Sequence, residues 1–115
     1  MLIRSQDKRM IANFDNICTV SAFPEKDSED IYVEDGTGSL MVGRYSTKEK
    51  AIKVLDMIQE AYADAELIPM AVSNIGKMFA EVPASKENEL LAEGIGKALM
   101  NKMVFQMPED GSVEV

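Results

Sequence analysis

Carboxylates are the groups through which this chain could do chemistry. It has twenty Asp and Glu against twelve Lys and Arg, three tyrosines, one cysteine and no histidine. General acid–base work at neutral pH draws most often on histidine, and a nucleophile needs an adjacent base to activate it, so the usual nucleophile–base pairs cannot be assembled. Zinc sites built from Cys and His fail on the same count. What is left is carboxylate, Lys or Tyr chemistry, which requires a pocket in which acids converge. No catalytic residue, cofactor or metal is expected, and the chain is not expected to be an enzyme; a small carboxylate-based enzyme stays as a minor reading.

Several short patterns invite chemistry and read better as ordinary structure. Glu34-Asp35-Gly36-Thr37-Gly38-Ser39 offers oxygens to a hard cation, yet it lacks the ligand spacing and terminal Glu of an EF-hand loop and reads as a turn. Gly36-x-Gly38 and Gly94-x-Gly96 belong to no complete phosphate-binding pattern. Arg4, Lys8 and Arg9 are the compact basic group, read as the charged end of a hairpin, and Cys18 lies in an apolar run where a buried, inert thiol is expected. Glu25, Asp27, Glu29, Asp30, Glu34 and Asp35 lie close in sequence; an exposed loop explains the first of them, and an acidic mimic of nucleic acid is the alternative.

The elements that must position these residues are centred on Leu40 to Tyr62, a strand running into an amphipathic helix. Ser46 followed by Glu49 is a capping box, and Ala51, Val54, Leu55, Ile58, Ala61, Tyr62 and Ala65 recur at three- and four-residue steps along one face. The opposite face carries Lys48, Glu49, Lys53, Asp56, Gln59, Glu60 and Asp64. Before the helix come Met1 to Arg4 and Arg9 to Phe14 as a hairpin, a tight turn at Asp15 and Asn16, an alternating strand from Ile17 to Phe23 stopped by Pro24, and a second hairpin of Ile31 to Val33 with Ser39 to Tyr45. After Glu66, Pro69, Gly76 and Pro83 interrupt the pattern and leave a short helix from Met70 to Glu81; Ser85 opens another, with Leu91, Ile95, Ala98 and Leu99 on one face and a break expected near Gly94. Val104 to Met107 reads as a last strand, and an acidic tail frays from Glu109.

The fold class is therefore α+β: one antiparallel meander sheet of five or six strands, a long helix packed on it and a further helical segment near the C-terminus. At 115 residues and 46% apolar content this is one domain, divided into strands over 1–45, the main helix over 46–66, a helical insertion over 67–102, the last strand over 103–108 and the tail over 109–115. A net charge of −8 argues against binding to a phosphate backbone, and no apolar run reaches the roughly 20 residues of a membrane span. With no signal peptide at Met1-Leu2-Ile3-Arg4, a cytoplasmic protein is expected.

Three stretches carry a family resemblance: the opening Ile3-Arg4-Ser5-Gln6-Asp7-Lys8, the helix entry Gly43-Arg44-Tyr45-Ser46-Thr47-Lys48-Glu49-Lys50-Ala51, and the ending Phe105-Gln106-Met107-Pro108. In these the chain resembles a family of small uncharacterised proteins of Gram-positive bacteria and their phages and mobile elements, over residues 1–66 and 103–110, with Leu67 to Lys102 as an insertion. The resemblance implies a shared fold and a phage or mobile-element accessory role through protein–protein interaction. It brings no catalytic residues.

Nine methionines, among them Met70, Met78, Met100, Met103 and Met107, fill irregular cores or serve adaptable interfaces. One helix and one small sheet have little core left for Ile75, Leu90 and the rest of the insertion's apolar residues. A homodimer is expected on that ground, through Met78, Phe79, Leu91, Ile95, Leu99, Met100 and Met103, with an unidentified protein as the other possible partner and neither nucleic acid nor membrane.

Overall fold

The structure is a computed structural model describing residues 1–81 and 85–115, apart from the side chains at 72, 75 and 79. It is α+β, but its six strands form two three-stranded sheets and not a single meander. In the first, β1 (Leu2–Arg4) lies between β2 (Ile11–Asn13), antiparallel to it, and β6 (Val104–Gln106), parallel to it. In the second, β3 (Thr19–Pro24), β4 (Glu29–Glu34) and β5 (Ser39–Tyr45) are antiparallel neighbours in chain order.

The separation has a local cause. Between β2 and β3 the chain makes a 3₁₀ turn at Phe14–Asn16, with the Asn13 side chain accepting from the Asp15 N–H, so the two strands are not joined as a hairpin. The sheets meet instead at Gln6. Its backbone N–H donates to the Val42 carbonyl at 2.7 Å, while its side-chain amide accepts from Arg44 N–H at 2.8 Å and donates to Arg44 C=O at 3.0 Å. A side-chain amide thus takes the place of a strand residue on the edge of β5. It satisfies backbone groups that an unpaired edge would leave open.

Helix α1 (Lys48–Ala80) starts one residue later than the sequence suggests. Thr47 is the cap, its hydroxyl accepting from Lys50 N–H at 3.2 Å, because Ser46 is taken elsewhere: its N–H and hydroxyl both donate to Asp110. The apolar stripe behaves as read, with Ala51, Val54 and Ile58 buried and Leu55 half-buried at the edge. They close on Ile31, Val33, Val42 and Tyr45 from the second sheet, Ile3 from the first, and Met107 and Val113 from beyond β6. Close packing governs one position here. A Cβ at Gly43 would stand 2.9 Å from the Tyr45 ring and 3.0 Å from the Met107 methyl, and that ring is fully enclosed. A bulge between Ile31 and Tyr32 turns both Val42 and Gly43 inward.

Other expectations need correcting. The main helix does not stop at Glu66; it runs through Pro69, whose missing N–H and ring cost an interior helix a hydrogen bond and a clash, because this stretch is paired along its length with α2 (Lys86–Asn101). Gly94 leaves α2 unbroken. The expected stop at Pro83 lies outside the described residues. The residues after Glu109 are docked: a 3₁₀ turn at Asp110–Ser112 leads to Val113, which is 6% exposed. Met107 is a core residue at 1% exposure, which removes it from any interface.

Beyond about Asp64 the helix leaves the sheets. At about 1.5 Å per residue α1 is ~50 Å long and α2 ~24 Å, so α2 retraces the distal half of α1 as an antiparallel hairpin before handing the chain to β6. A compact chain of this size has a radius of gyration near 13 Å. The observed 17.6 Å, with a longest extent of 61 Å, is that of a body carrying an arm.

The core assignment has a direct check. Val54→Asp sets a charge in an enclosed site and should remove the cooperative thermal transition, whereas Leu55→Asp, at the edge, should lower the midpoint yet leave the helical circular dichroism in place. Equal melting of the two variants would show that the buried stripe is misplaced.

Candidate functional site

Three places on the molecule were candidates for chemistry or recognition: the acidic and basic clusters, the cleft between the sheets, and the arm.

The clusters are mostly consumed by their own backbone. Asp35 Oδ1 accepts from Thr37 N–H, Thr37 hydroxyl and Gly38 N–H, closing the β4–β5 turn in which Gly36 adopts φ +92°. These hydrogen bonds hold the Asp35 carboxyl below its usual range. At the β1–β2 turn the Arg4 guanidinium donates to the Lys8 carbonyl through Nε and Nη2, and Asp7 accepts from Ser5 hydroxyl and Arg9 N–H. Lys8 itself sits at φ +66°. Of the six clustered acids, Asp30 is buried at 1% exposure, Glu25 accepts from the Tyr32 hydroxyl at 3.2 Å and Glu34 accepts weakly from Thr19 at 3.4 Å. Cys18 is exposed, not buried, since β3 begins only at Thr19.

Asp30 is the charged group that sequence reasoning misjudged most, having been placed in an exposed loop. It sits opposite Arg44 on the neighbouring strand and receives both Nε and Nη2 at 3.0 Å, with Ser28 hydroxyl donating at 2.8 Å. The guanidinium first, then the hydroxyl, hold its carboxyl below the ordinary range against the opposing effect of burial. Its Arg44 partner stays largely exposed. A second acid, Asp110, binds Ser46 and lies 3.5 Å from Lys50 Nζ, which also donates to the Asp110 carbonyl at 2.9 Å. Tyr45 donates to the Pro108 carbonyl at 2.8 Å, and burial drives its own pKa upward. These are fastenings between distant segments. Among the described residues no group of three or more His, Cys, Asp or Glu is placed to hold a metal ion.

The cleft, of about 360 Å³, lies between β2 and β5. Ile3, Val33 and Val42 form its floor, Ile11 and Leu40 its walls, and Asn13, Asn16 and Ser39 part of its rim. The one carboxylate lining it, Asp35, already has three donors. It therefore offers no convergent acids of the kind a carboxylate enzyme requires.

The arm is where exposed apolar surface collects. Leu67, Met70 and Met78 on α1 are 60%, 65% and 67% exposed, and Leu90, Leu91 and Met100 on α2 are 59%, 56% and 61% exposed. The residues expected at an interface divide. Ile95 and Leu99 are half-buried on the stripe of α2 that faces α1, Met103 lies two residues past the end of the helix with its carbonyl accepting from Leu2 N–H, and the Phe79 side chain lies outside the described residues. Met78, Leu91 and Met100 are free. Among the described residues no helix is long and apolar enough to cross a membrane.

Comparison with protein-family models, with curated proteins and with solved structures finds no match.

The Asp30–Arg44 pair predicts a pH response. A carboxyl whose folded pKa is depressed adds stability above its unfolded value, near 3.8, and that contribution is lost as pH falls through the folded value. Asp30→Asn should therefore melt well below the parent at pH 7, with the gap closing towards pH 2. A gap independent of pH would mean that packing, not charge, is what the pair provides.

Proposed function

We propose that this is a non-catalytic protein-interaction module, in keeping with its resemblance to small uncharacterised proteins of Gram-positive bacteria and their phages and mobile elements, and that the arm is its contact surface. The supporting observation is the contrast between the two ends of the molecule. In the body many polar side chains are tied to one another and the more exposed apolar ones fall on separate elements, Ile11 on β2, Phe23 on β3 and Leu40 on β5, while the arm gathers six large apolar side chains, each more than half exposed, on one helical hairpin. Exposed apolar surface gathered on one projecting element marks a site of association. Between Leu67 and Ala80 only Lys77 is charged, so on the α1 side of the arm partners would be selected by apolar fit, while α2 adds Lys86, Glu87, Glu89, Glu93 and Lys97 around its apolar residues. The partner is a protein, of the same chain or another.

The acidic-mimic reading is less well supported, because Asp30 and Asp35 are committed to internal bonds, Glu25 and Glu34 accept from Tyr32 and Thr19, and Glu29 and Glu34 stand at opposite ends of β4. A mimic's binding should weaken steeply with salt, whereas association through the arm should not.

The test is differential capture. The full chain and a Met78→Glu/Leu91→Glu variant, each immobilised, are offered the same host extract supplemented with soluble, differently tagged chain. The expected result is at least one protein retained by the parent, lost by the variant and insensitive to a rise from about 0.1 to 0.5 M salt. Identical retention by both would remove the arm from the function.

A further inference from the structure

We infer that the arm's partner is a second copy of the chain, the two hairpins packing face to face about a two-fold axis into a four-helix bundle. This rests on the reading of the arm as the contact surface.

The inference comes from where the exposed apolar residues fall around each helix. On α1, Ile68 is 4% exposed and marks the stripe turned towards α2. At about 100° per residue, Ala71, Met78 and Leu67 stand roughly 60° to 100° from Ile68, all in the same rotational sense. On α2 the half-buried Ala92, Ile95 and Leu99 mark the stripe turned towards α1. Leu91 and Ala98 stand roughly 70° to 95° from the centre of that stripe, again in that same sense. Because the helices are antiparallel, equal rotations in one sense bring both strips to the same side of the hairpin. One broad side of the arm thus carries apolar side chains on both helices, with Asn74 and Glu87 at its outer edges, and Gly94 beside it adds no side chain that would hold a neighbour away. Glu89, Glu93 and Met100 fall on the other side, with Pro69 and Ser73.

The size of this face suits a copy of itself. Two helices about 10 Å apart and each ~10 Å across, along the ~24 Å that α2 covers, present ~480 Å² in projection per molecule. Two such faces come to ~1,000 Å², at the threshold of a specific interface. A two-fold rotation pairs the same patch of both copies, so that Leu67 and Met78 of one meet the apolar strip of the other, and a pair of helical hairpins closed in this way is a four-helix bundle. The small residues Ala71 and Ala98 allow the helices of the two hairpins to approach to the 8–10 Å at which side chains interlock. Glu87 and Lys102 continue the α2 strip at its two ends, and the net charge of −8 on each molecule opposes pairing at close range, a repulsion that the apolar contact has to overcome.

Light scattering on the purified, untagged full chain, diluted from about 500 to 1 µM, tests the pairing, since an interface of this area is expected in the micromolar range. The mass should pass from twice 12.7 kDa towards 12.7 kDa on dilution. Met78→Glu and Leu91→Glu should each weaken the pairing by more than about tenfold with unchanged far-ultraviolet circular dichroism, and Ala98→Glu gives the same readout should either of them fail to fold. Met100→Glu, on the opposite side, should pair as the parent does. A parent monomeric at every concentration overturns the inference, as does a Met100→Glu variant that dissociates as readily as Leu91→Glu. If the parent is monomeric while arm-dependent capture of a different protein persists, self-pairing fails and the interaction reading stands; if both are absent, both fail.

Discussion

The rest of the molecule depends on the parallel pairing of β1 with β6. Neighbouring parallel strands cannot be joined by a tight turn, so the chain leaves the sheet at one end of β1 and must enter β6 from the opposite end. Here the return is made by two helices of unequal length. The difference between the 33 residues of α1 and the 16 of α2 is 17 residues, or about 26 Å of helix, and this is the part that lies across the second sheet and closes the core. The arm is therefore the overhang of a crossover. Its length follows from how far α1 overshoots the sheet, and its exposed apolar side chains follow from having no sheet beneath them.

Short strands make that pairing dependent on help. β1, β2 and β6 have three residues each, too few for backbone hydrogen bonds alone to hold two sheets together. The additional bonds come from side chains acting at segment junctions. Gln6 joins the first sheet to β5, Gln106 donates to the Ser5 carbonyl at 2.9 Å, and Tyr45 and Asp110 hold the chain after β6 against the start of α1. Each of these bonds links residues far apart in sequence. A buried carboxylate such as Asp30 is costly to desolvate and adds little net energy even when paired, so the bidentate geometry with Arg44 is better understood as fixing the register of β4 against β5 beside the bulge.

What was legible in the sequence was local. The stripe through Ala51, Val54 and Ile58, the two hairpins and the last strand all announce themselves by period and by turn residues, and they are present. What depended on distant partners was not. Nothing near Ser46 says that its N–H will be claimed by Asp110, so the cap moved to Thr47. Pro69 and Gly94 are helix-breaking by propensity, but packing of α1 against α2 overrides that weak prior. Asp30 reads as one acid among several until Arg44 is found across the sheet. The arm's apolar residues were visible as a surplus, yet their division between the seam, the free side and the opposite side needed the helix pairing. Leu99, expected at an interface, is half-buried within the single chain.

The same strand pairing sets an order of events on the ribosome. Synthesis proceeds from the N-terminus, and the antiparallel sheet of β3, β4 and β5 with the first turns of α1 can assemble from residues that emerge together. Leu2 to Arg4 can pair with β2 early, but their other partner strand begins only at Val104, and the Met107 and Val113 side chains that complete the core come later still. Contacts of such separation are the slowest to close. The earliest-made strand of this chain is thus the last to have both of its edges paired, and until β6 arrives the core around Ile3 lacks the cover that Met107 and Val113 give it.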